Sequence, residues 1–501
     1  MDSATPSLPP CCRITARDDV AVALRDLAAG EQVGIEAAAI TLADAVPRGH
    51  KLALRSIEAG EPIRKYGQVI GRATARIARG AHVHTHNLAT LLAGVDEYRF
   101  APHASTTTQA TADALTFLGY RRADGRVGTR NEIWILCTVG CVGRTAERIA
   151  RLATERCKER VDGVYAFPHQ FGCSQLGGDL ERTRKLIAAL ARHPNAGGVL
   201  ILGLGCESNQ LAPLLQEIPQ SQREHIRTFA AQATTDEVEE GLRLVEELAD
   251  IAARARRERC PIGALAVGLK CGGSDGLSGI TANPLLGRVA DRVTRAGGVA
   301  ILTEIPEIFG AERLLLERAA DERVFAAIAQ LVNDFKRYFL ENDQPVHENP
   351  SPGNIAGGIT TLEEKSLGAV QKGGHATLTQ VVRYGELVER PGLALLEAPG
   401  NDGISSTALV AAGATIVLFT TGRGTPLGFP APTLKISSNS PLAQTKPHWI
   451  DFDAGRMLTG DPDALAEDFM RLIVDVASGR AARNELNEER EIAIWKDGVT
   501  L

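Results

Sequence analysis

Ile133-Trp134-Ile135-Leu136-Cys137-Thr138-Val139 reads as a short, mostly apolar strand, and the segments around it decide the fold. Residues 144–158 have the spacing of an amphipathic helix, 164–167 of a strand, 181–193 of a helix and 198–203 of a continuous apolar strand. The alternation continues with a long charged helix over 237–257, strands over 265–269 and 299–303, and a helix over 285–295. Strands and helices in strict succession predict βαβ units around a largely parallel sheet with helices on both faces, an α/β fold. Beyond a helix at 325–341, the Pro/Gly-rich stretch Asn349-Pro350-Ser351-Pro352-Gly353-Asn354 reads as a connection. A second α/β zone follows from about residue 376, with strands at 394–398, 416–420 and 434–436 and a helix at 463–477.

Towards the N-terminus the pattern differs. Residues 12–95 are β-rich, with strands over 51–57 and 69–77 and turns at Ala29-Gly30, Arg48-Gly49, Ala59-Gly60 and Arg79-Gly80. They predict a small barrel-like or clip-like unit. The expected division is a frayed tail over 1–11, a β unit over 12–95, a polar linker over 96–114 containing Ala101-Pro102-His103, and α/β domains over 115–348 and 349–501. No short-period repeat or low-complexity tract is visible.

The 501 residues allow two to four domains, and an apolar share of 44% is ample for a large core. A net charge of −6 argues against a surface built to neutralise phosphates, so no nucleic-acid partner is expected. No run of about 18 apolar residues could span a bilayer. Met1 to Pro10 has neither a basic region nor an apolar core, unlike a secretory signal. Nine cysteines, an odd number without such a signal, predict reduced thiols and a cytoplasmic location.

In parallel sheets, ligands bind beyond the carboxyl ends of the strands. There the chain places Gly140-Cys141, Pro168-His169 through Gly172-Cys173, Gly205-Cys206-Glu207 and Lys270-Cys271-Gly272. Glu304-Ile305-Pro306-Glu307 follows the strand over 299–303 in the same way. A single free cysteine also reads as a small buried hydrophobe. Four in one topological position, beside glycines that allow close approach, point to iron, zinc or an iron–sulfur centre held by Cys141, Cys173, Cys206 and Cys271. A second metal candidate is His82-Val83-His84-Thr85-His86-Asn87, whose alternation in an extended strand puts His82, His84 and His86 on one face. A solvated polar strand would look the same, and His50 at a turn adds little alone. Thr421-Gly422-Arg423-Gly424 suits an anion, because arginine offers a planar fork to a carboxylate. Neither a Walker spacing nor a GxGxxG helix start accompanies it, so a nucleotide or nicotinamide cofactor has little support.

With these motifs the chain resembles the altronate/galactarate dehydratase family, to which sulfolactate sulfo-lyase is related. The likeness runs from about residue 13 to 501 and includes Asp19 to Leu24, Arg48-Gly49-His50-Lys51, His82 to Asn87, Gly205-Cys206-Glu207 and Cys271 to Gly276. It continues through Gly279 to Pro284, Asn349 to Asn354, Thr421 to Pro426 and Gly498 to Leu501. The resemblance implies an N-terminal SAF-type β-clip domain and iron-dependent lyase activity on a sugar acid, converting D-altronate to 2-keto-3-deoxy-D-gluconate in hexuronate breakdown. The His82–Asn87 triplet and the stretch Lys446 to Asp453 resemble the altronate branch more than the galactarate branch. The implied cofactor is Fe2+, with Mn2+ or an iron–sulfur cluster as alternatives.

Such a dehydration takes the proton from carbon 2 and the hydroxyl from carbon 3, and a cation on the carboxylate would stabilise the charge that develops. His169 is the first candidate for base or acid, and Lys365 is the second catalytic candidate. Lys365 and Arg423 are expected to bind the carboxylate, and Asp275 and Asn283 the hydroxyls; the metal set takes His84 and His86 besides the four cysteines. The expected partners are a small sugar acid and further copies of the chain. A diacid dehydratase, a sulfo-lyase and a non-catalytic sugar-acid sensor remain alternatives.

Overall fold

The computed structural model describes residues 8–35, 38–100 and 114–501. Its first part is the expected β unit. One sheet runs in the order Cys11–Cys12, Val20–Ala23, Lys51–Ala53 and His82–Val83, all antiparallel. A hairpin of Gln32–Ile35 with Ala38–Thr41, and a sheet of Pro62–Lys65, Gln68–Ala73 and Leu88–Ala89, complete it. The four Gly turns foreseen in the sequence are the same device repeated at unequal spacing. Gly30, Gly49, Gly60 and Gly80 have φ of 79°, 83°, 84° and 81°, a conformation that a side chain would strain. The strands are shorter than the sequence predicts, because the chain bends at 54–55 and 74–75, ahead of the Gly turns. Cys11, expected in the tail, pairs with Ala23.

Residues 101–113, most of the expected linker, lie outside the described residues. Before them, Asp96 and Tyr98 are tied to the α/β part through Lys336 and Glu312.

The α/β part contains two parallel sheets. Val164–Phe167, Glu132–Cys137, Ala196–Gly203 and Ile226–Ala230 form a four-stranded one in that order. The other has seven strands: Leu378–Val382, Gly392–Leu396, Val299–Leu302, Ala266–Cys271, Ile416–Thr421, Thr433–Ser437 and Phe452–Asp453. A small antiparallel sheet of Val127–Gly128, Thr116–Arg121 and Glu258–Pro261 accompanies them.

The seven-stranded sheet runs across the expected division at 348/349, since it takes strands from both sides of it. The Pro/Gly-rich stretch there is no linker. Ser351 caps the short helix Pro352–Ala356, with Pro352 at its first position, where a missing N–H costs nothing. The break between sheets comes earlier, beyond the helix Glu237–Ala252. That helix is shorter than the sequence predicts because Glu258–Pro261 is already a strand.

Candidate functional site

Two strands of the large sheet deliver charge to its carboxyl edge. Lys270 and Cys271 end one of them, and Glu304 and Glu307 follow another. Lys270 Nζ contacts Glu304 and lies 2.7 Å from Asp402. Lys372 Nζ donates to Cys271 Sγ at 2.8 Å and lies 3.6 Å from Glu304. Lys365 Nζ is 2.8 Å from Glu307. The Cys271 thiol is 3.2 Å from Glu307. Burial, reinforced by Glu307, pushes that thiol up to about 12, so it keeps its proton. Glu304 has φ 66°, a left-handed conformation that glutamate adopts only where its surroundings force it.

Beside this cluster opens a cleft of about 510 Å3 lined by Ser274, Glu307, Asn349, Ser351, Asn354, Lys365 and Asp402. Burial alone would lower Lys365. Glu307 outweighs it and keeps the amine charged where it faces the cleft. Asn349 and Asn354 hold the same ammonium at 3.1 and 3.2 Å. Two larger clefts, of about 600 and 920 Å3, are lined by none of the cluster residues.

Next to the end of helix Pro352–Ala356 lies a group of imidazoles. His50 Nδ1 is 3.0 Å from His82 Nε2, and His50 Nε2 is 3.3 Å from the Ala356 carbonyl. The His84 ring centroid is 4.7 Å from that of His50 and 5.4 Å from that of His82. Strand pairing sets this up, since Leu52 stands opposite His82. Asn87 fixes the turn by accepting from His84 N and donating to the His82 carbonyl. Burial draws His82 and His84 down to about 4, so both rings are neutral at neutral pH. His84 Nδ1 is buried without a hydrogen-bond partner.

Two groups among the described residues bring three ligand atoms within 4.8 Å of one another, His50–His82–His84 and Cys271–Glu304–Glu307. The second already holds three ammoniums against its carboxylates, and its thiol is protonated. A divalent ion there would sit among cations. The first has neutral nitrogen donors and an orphaned lone pair, and the ammonium near it, Lys51, is already paired with Glu364, so it fits a metal that favours imidazole, such as ferrous iron or zinc.

The β unit is locked onto this region by Glu364, which is 2.8 Å from Lys51 and 2.7 Å from Lys65, all three buried. Burial would raise the carboxyl, but the two lysines outweigh it and hold it far below the carboxylate range. One carboxylate cannot fully serve two ammoniums. Burial pulls Lys51 down to about 8, whereas Lys65, helped also by Tyr66, stays above its ordinary value despite burial.

The structure separates the residues expected from sequence. Lys365 lines the cleft. Arg423 is exposed and donates to the Gly353 carbonyl at the helix start. Asp275 accepts from Leu277 N, Ser278, Ser438 and Asn439, which commits it to holding loops together. Asn283 is 2% exposed, accepts from Thr420 and donates to the Gly368 carbonyl, so it offers nothing to a hydroxyl. His169 is no base. Its Nε2 is 2.8 Å from the Cys137 carbonyl and its Nδ1 accepts from Phe171 N, leaving no free lone pair.

His86 is exposed and outside the imidazole set, which takes His50 instead. The alternation fails because the strand ends at Val83. Cys271 sits in the lysine cluster, apart from Cys141, Cys173 and Cys206 on the four-stranded sheet. Glu304, Glu307, Lys270 and Lys372 were not singled out as site residues. Their one sequence signal was position, since charged residues at the ends of apolar strands face ligands or one another.

Three family models match the chain: the altronate/galactarate dehydratase SAF domain over residues 9–91, the D-galactarate dehydratase/altronate hydrolase second domain over 119–253, and the D-galactarate/altronate dehydratase C-terminal domain over 262–500. Altronate dehydratase of Escherichia coli (strain K12) is 50% identical over 98% of this chain and 99% of its own length. Altronate dehydratase of Bacillus subtilis (strain 168) is 48% identical over the same shares. Galactarate dehydratase (L-threo-forming) of Escherichia coli is 33% identical over 92% of each chain.

Proposed function

The chain belongs to the altronate/galactarate dehydratase family, and from that membership we propose that it is a hydro-lyase converting D-altronate to 2-keto-3-deoxy-D-gluconate and water. The observation that carries this reading is the near-complete alignment with two altronate dehydratases at 50% and 48% identity, against 33% for the galactarate enzyme. The reaction serves hexuronate breakdown. Reduced thiols throughout suit a cytoplasmic enzyme, and no helix among the described residues is long and apolar enough to cross a membrane.

Loss of the carbon-2 proton puts a second negative charge on a carboxylate that already carries one. Lys365, kept charged and facing the cleft, meets that charge. Asn349 and Ser351 offer hydrogen bonds to the polyol chain. His50, His82 and His84 would hold the ferrous ion that family members are expected to use, in preference to Mn2+, which favours oxygen donors. When bound, that ion would supply a Lewis acid.

Keto-acid formation from D-altronate and from galactarate, each with and without added ferrous iron, tests the reading. Iron-dependent turnover of altronate well above galactarate is expected. A preference for galactarate, or full turnover in metal-free protein, overturns it.

A further inference from the structure

The imidazole trio leaves the cysteines of the other sheet unexplained. Of the nine cysteines, Cys141, Cys173 and Cys206 alone are exposed. Cysteine is among the most buried residue types, so exposure in one place and nowhere else calls for a cause. Each of the three follows a glycine beyond the carboxyl end of one of three adjacent strands, Glu132–Cys137, Val164–Phe167 and Ala196–Gly203.

The turns that carry them are pressed together. Gly140 N donates to the Phe171 carbonyl and Asn209 N to the Gly172 carbonyl, each at 2.9 Å. A Cβ on Gly172 would stand 2.0 Å from the Thr138 carbonyl, and one on Gly140 would stand 2.8 Å from that of His169. Glu207 binds Thr138, Leu204 N and Gly205 N, and His169 pins the Cys173 loop to Cys137. Leu501 N donates to the Ser174 carbonyl, so the last residues brace the same loop. The scaffold is rigid, while its thiols face outward.

Donors accompany the sulfurs. Gln232 Nε2 is 3.6 Å from Cys206 Sγ and Ser174 Oγ is 3.9 Å from Cys173 Sγ. Gln175, in the Cys173 loop and 3% exposed, has an Nε2 without a partner. Cys141 lies in the turn just before the helix Gly143–Cys157. These thiols are not among the groups whose ligand atoms lie within 4.8 Å, the spacing for a single ion. A cluster of several irons spans a wider ring of thiolates.

We propose that Cys141, Cys173 and Cys206 hold an iron–sulfur cluster with three protein thiolates, leaving one iron open to solvent or to an oxygen ligand. It is a second centre, separate from the imidazole trio.

The test is anaerobic reconstitution of the full-length chain with ferrous iron and sulfide, then assay of iron, acid-labile sulfide and visible absorption. Wild-type protein is expected to carry labile sulfide and a broad visible band. Cys173→Ala and Cys206→Ala, at exposed positions that cost little stability, should lower labile sulfide at least about tenfold. Cys157→Ser, a buried thiol elsewhere, and His84→Ala should both keep it. That last variant separates this centre from the imidazole one, so either can fail alone. Wild-type protein without labile sulfide, or Cys173→Ala and Cys206→Ala variants that retain it, overturns the proposal.

Discussion

Around His50, His82 and His84 three ligand atoms lie within 4.8 Å of one another, and the same holds around Cys271, Glu304 and Glu307. By distance the two groups are equivalent. They differ in what surrounds them. The imidazoles are neutral, the ammonium near them, Lys51, is already paired with Glu364, and they include a buried nitrogen without a partner. The carboxylates are matched by Lys270, Lys365 and Lys372, and the thiol keeps its proton. Donor spacing alone therefore does not make a metal site. The counter-charges decide, and here they leave one group ready for a cation and give the other a balanced set of its own.

The largest effect that can break this contrast comes from removing one of those counter-charges. Lys270→Met strands buried Glu304, and should cost about 3–5 kcal/mol of stability in thermal or urea melts. His84→Ala should change the metal-free protein's melt by far less. If Lys270→Met melts like wild type, the cluster is not the balanced charge set described here.

Acid titration sharpens the same contrast. Burial would raise Glu307, but Lys365 and the neighbouring lysines outweigh it and hold it at about 2. Because its folded value is depressed, its contribution is complete above the unfolded carboxylate range near pH 4 and is lost as pH falls towards 2. Urea melts between pH 6 and pH 2 should show that loss, as rough bounds of the window, and Glu307→Gln should flatten it. An acid limb unchanged in the variant contradicts the pairing.

The smallest effect concerns His169. Its two hydrogen bonds make it a loop pin, so His169→Leu should cost about 1–3 kcal/mol while turnover per folded molecule stays within a few-fold. A variant that folds normally and is dead would restore it as base or acid.

The alternation of apolar runs and amphipathic stretches made the α/β class and most strands legible in the sequence. The four Gly turns did the same for the β unit. Strand order was not legible, and so the sheet that joins residues 266–302 to 378–453 was divided at 348/349. The site was only half legible for a related reason. His82 and His84 stood out, but in a triplet with His86, whereas their third member, His50, comes from another strand, and adjacency between strands leaves no trace in spacing. Likewise Lys270, Lys372 and Glu304 look like ordinary charged residues until tertiary packing buries them together. Asn283 and Asp275 lay in quotable motifs, yet the motif holds the loops rather than a ligand.

The central claim is that the imidazole trio, and not the Cys271 cluster, holds the ion the reaction uses. It is tested most directly by counting iron not accompanied by labile sulfide in folded His84→Ala and Glu304→Gln, beside turnover of each. Outer partners of metal ligands alone are worth about 10–100-fold, so loss of a ligand in His84→Ala should lower iron affinity and turnover together by at least that much. Glu304→Gln should retain the ion at wild-type stoichiometry. His84→Ala with its iron in place, and Glu304→Gln without it, would contradict the account.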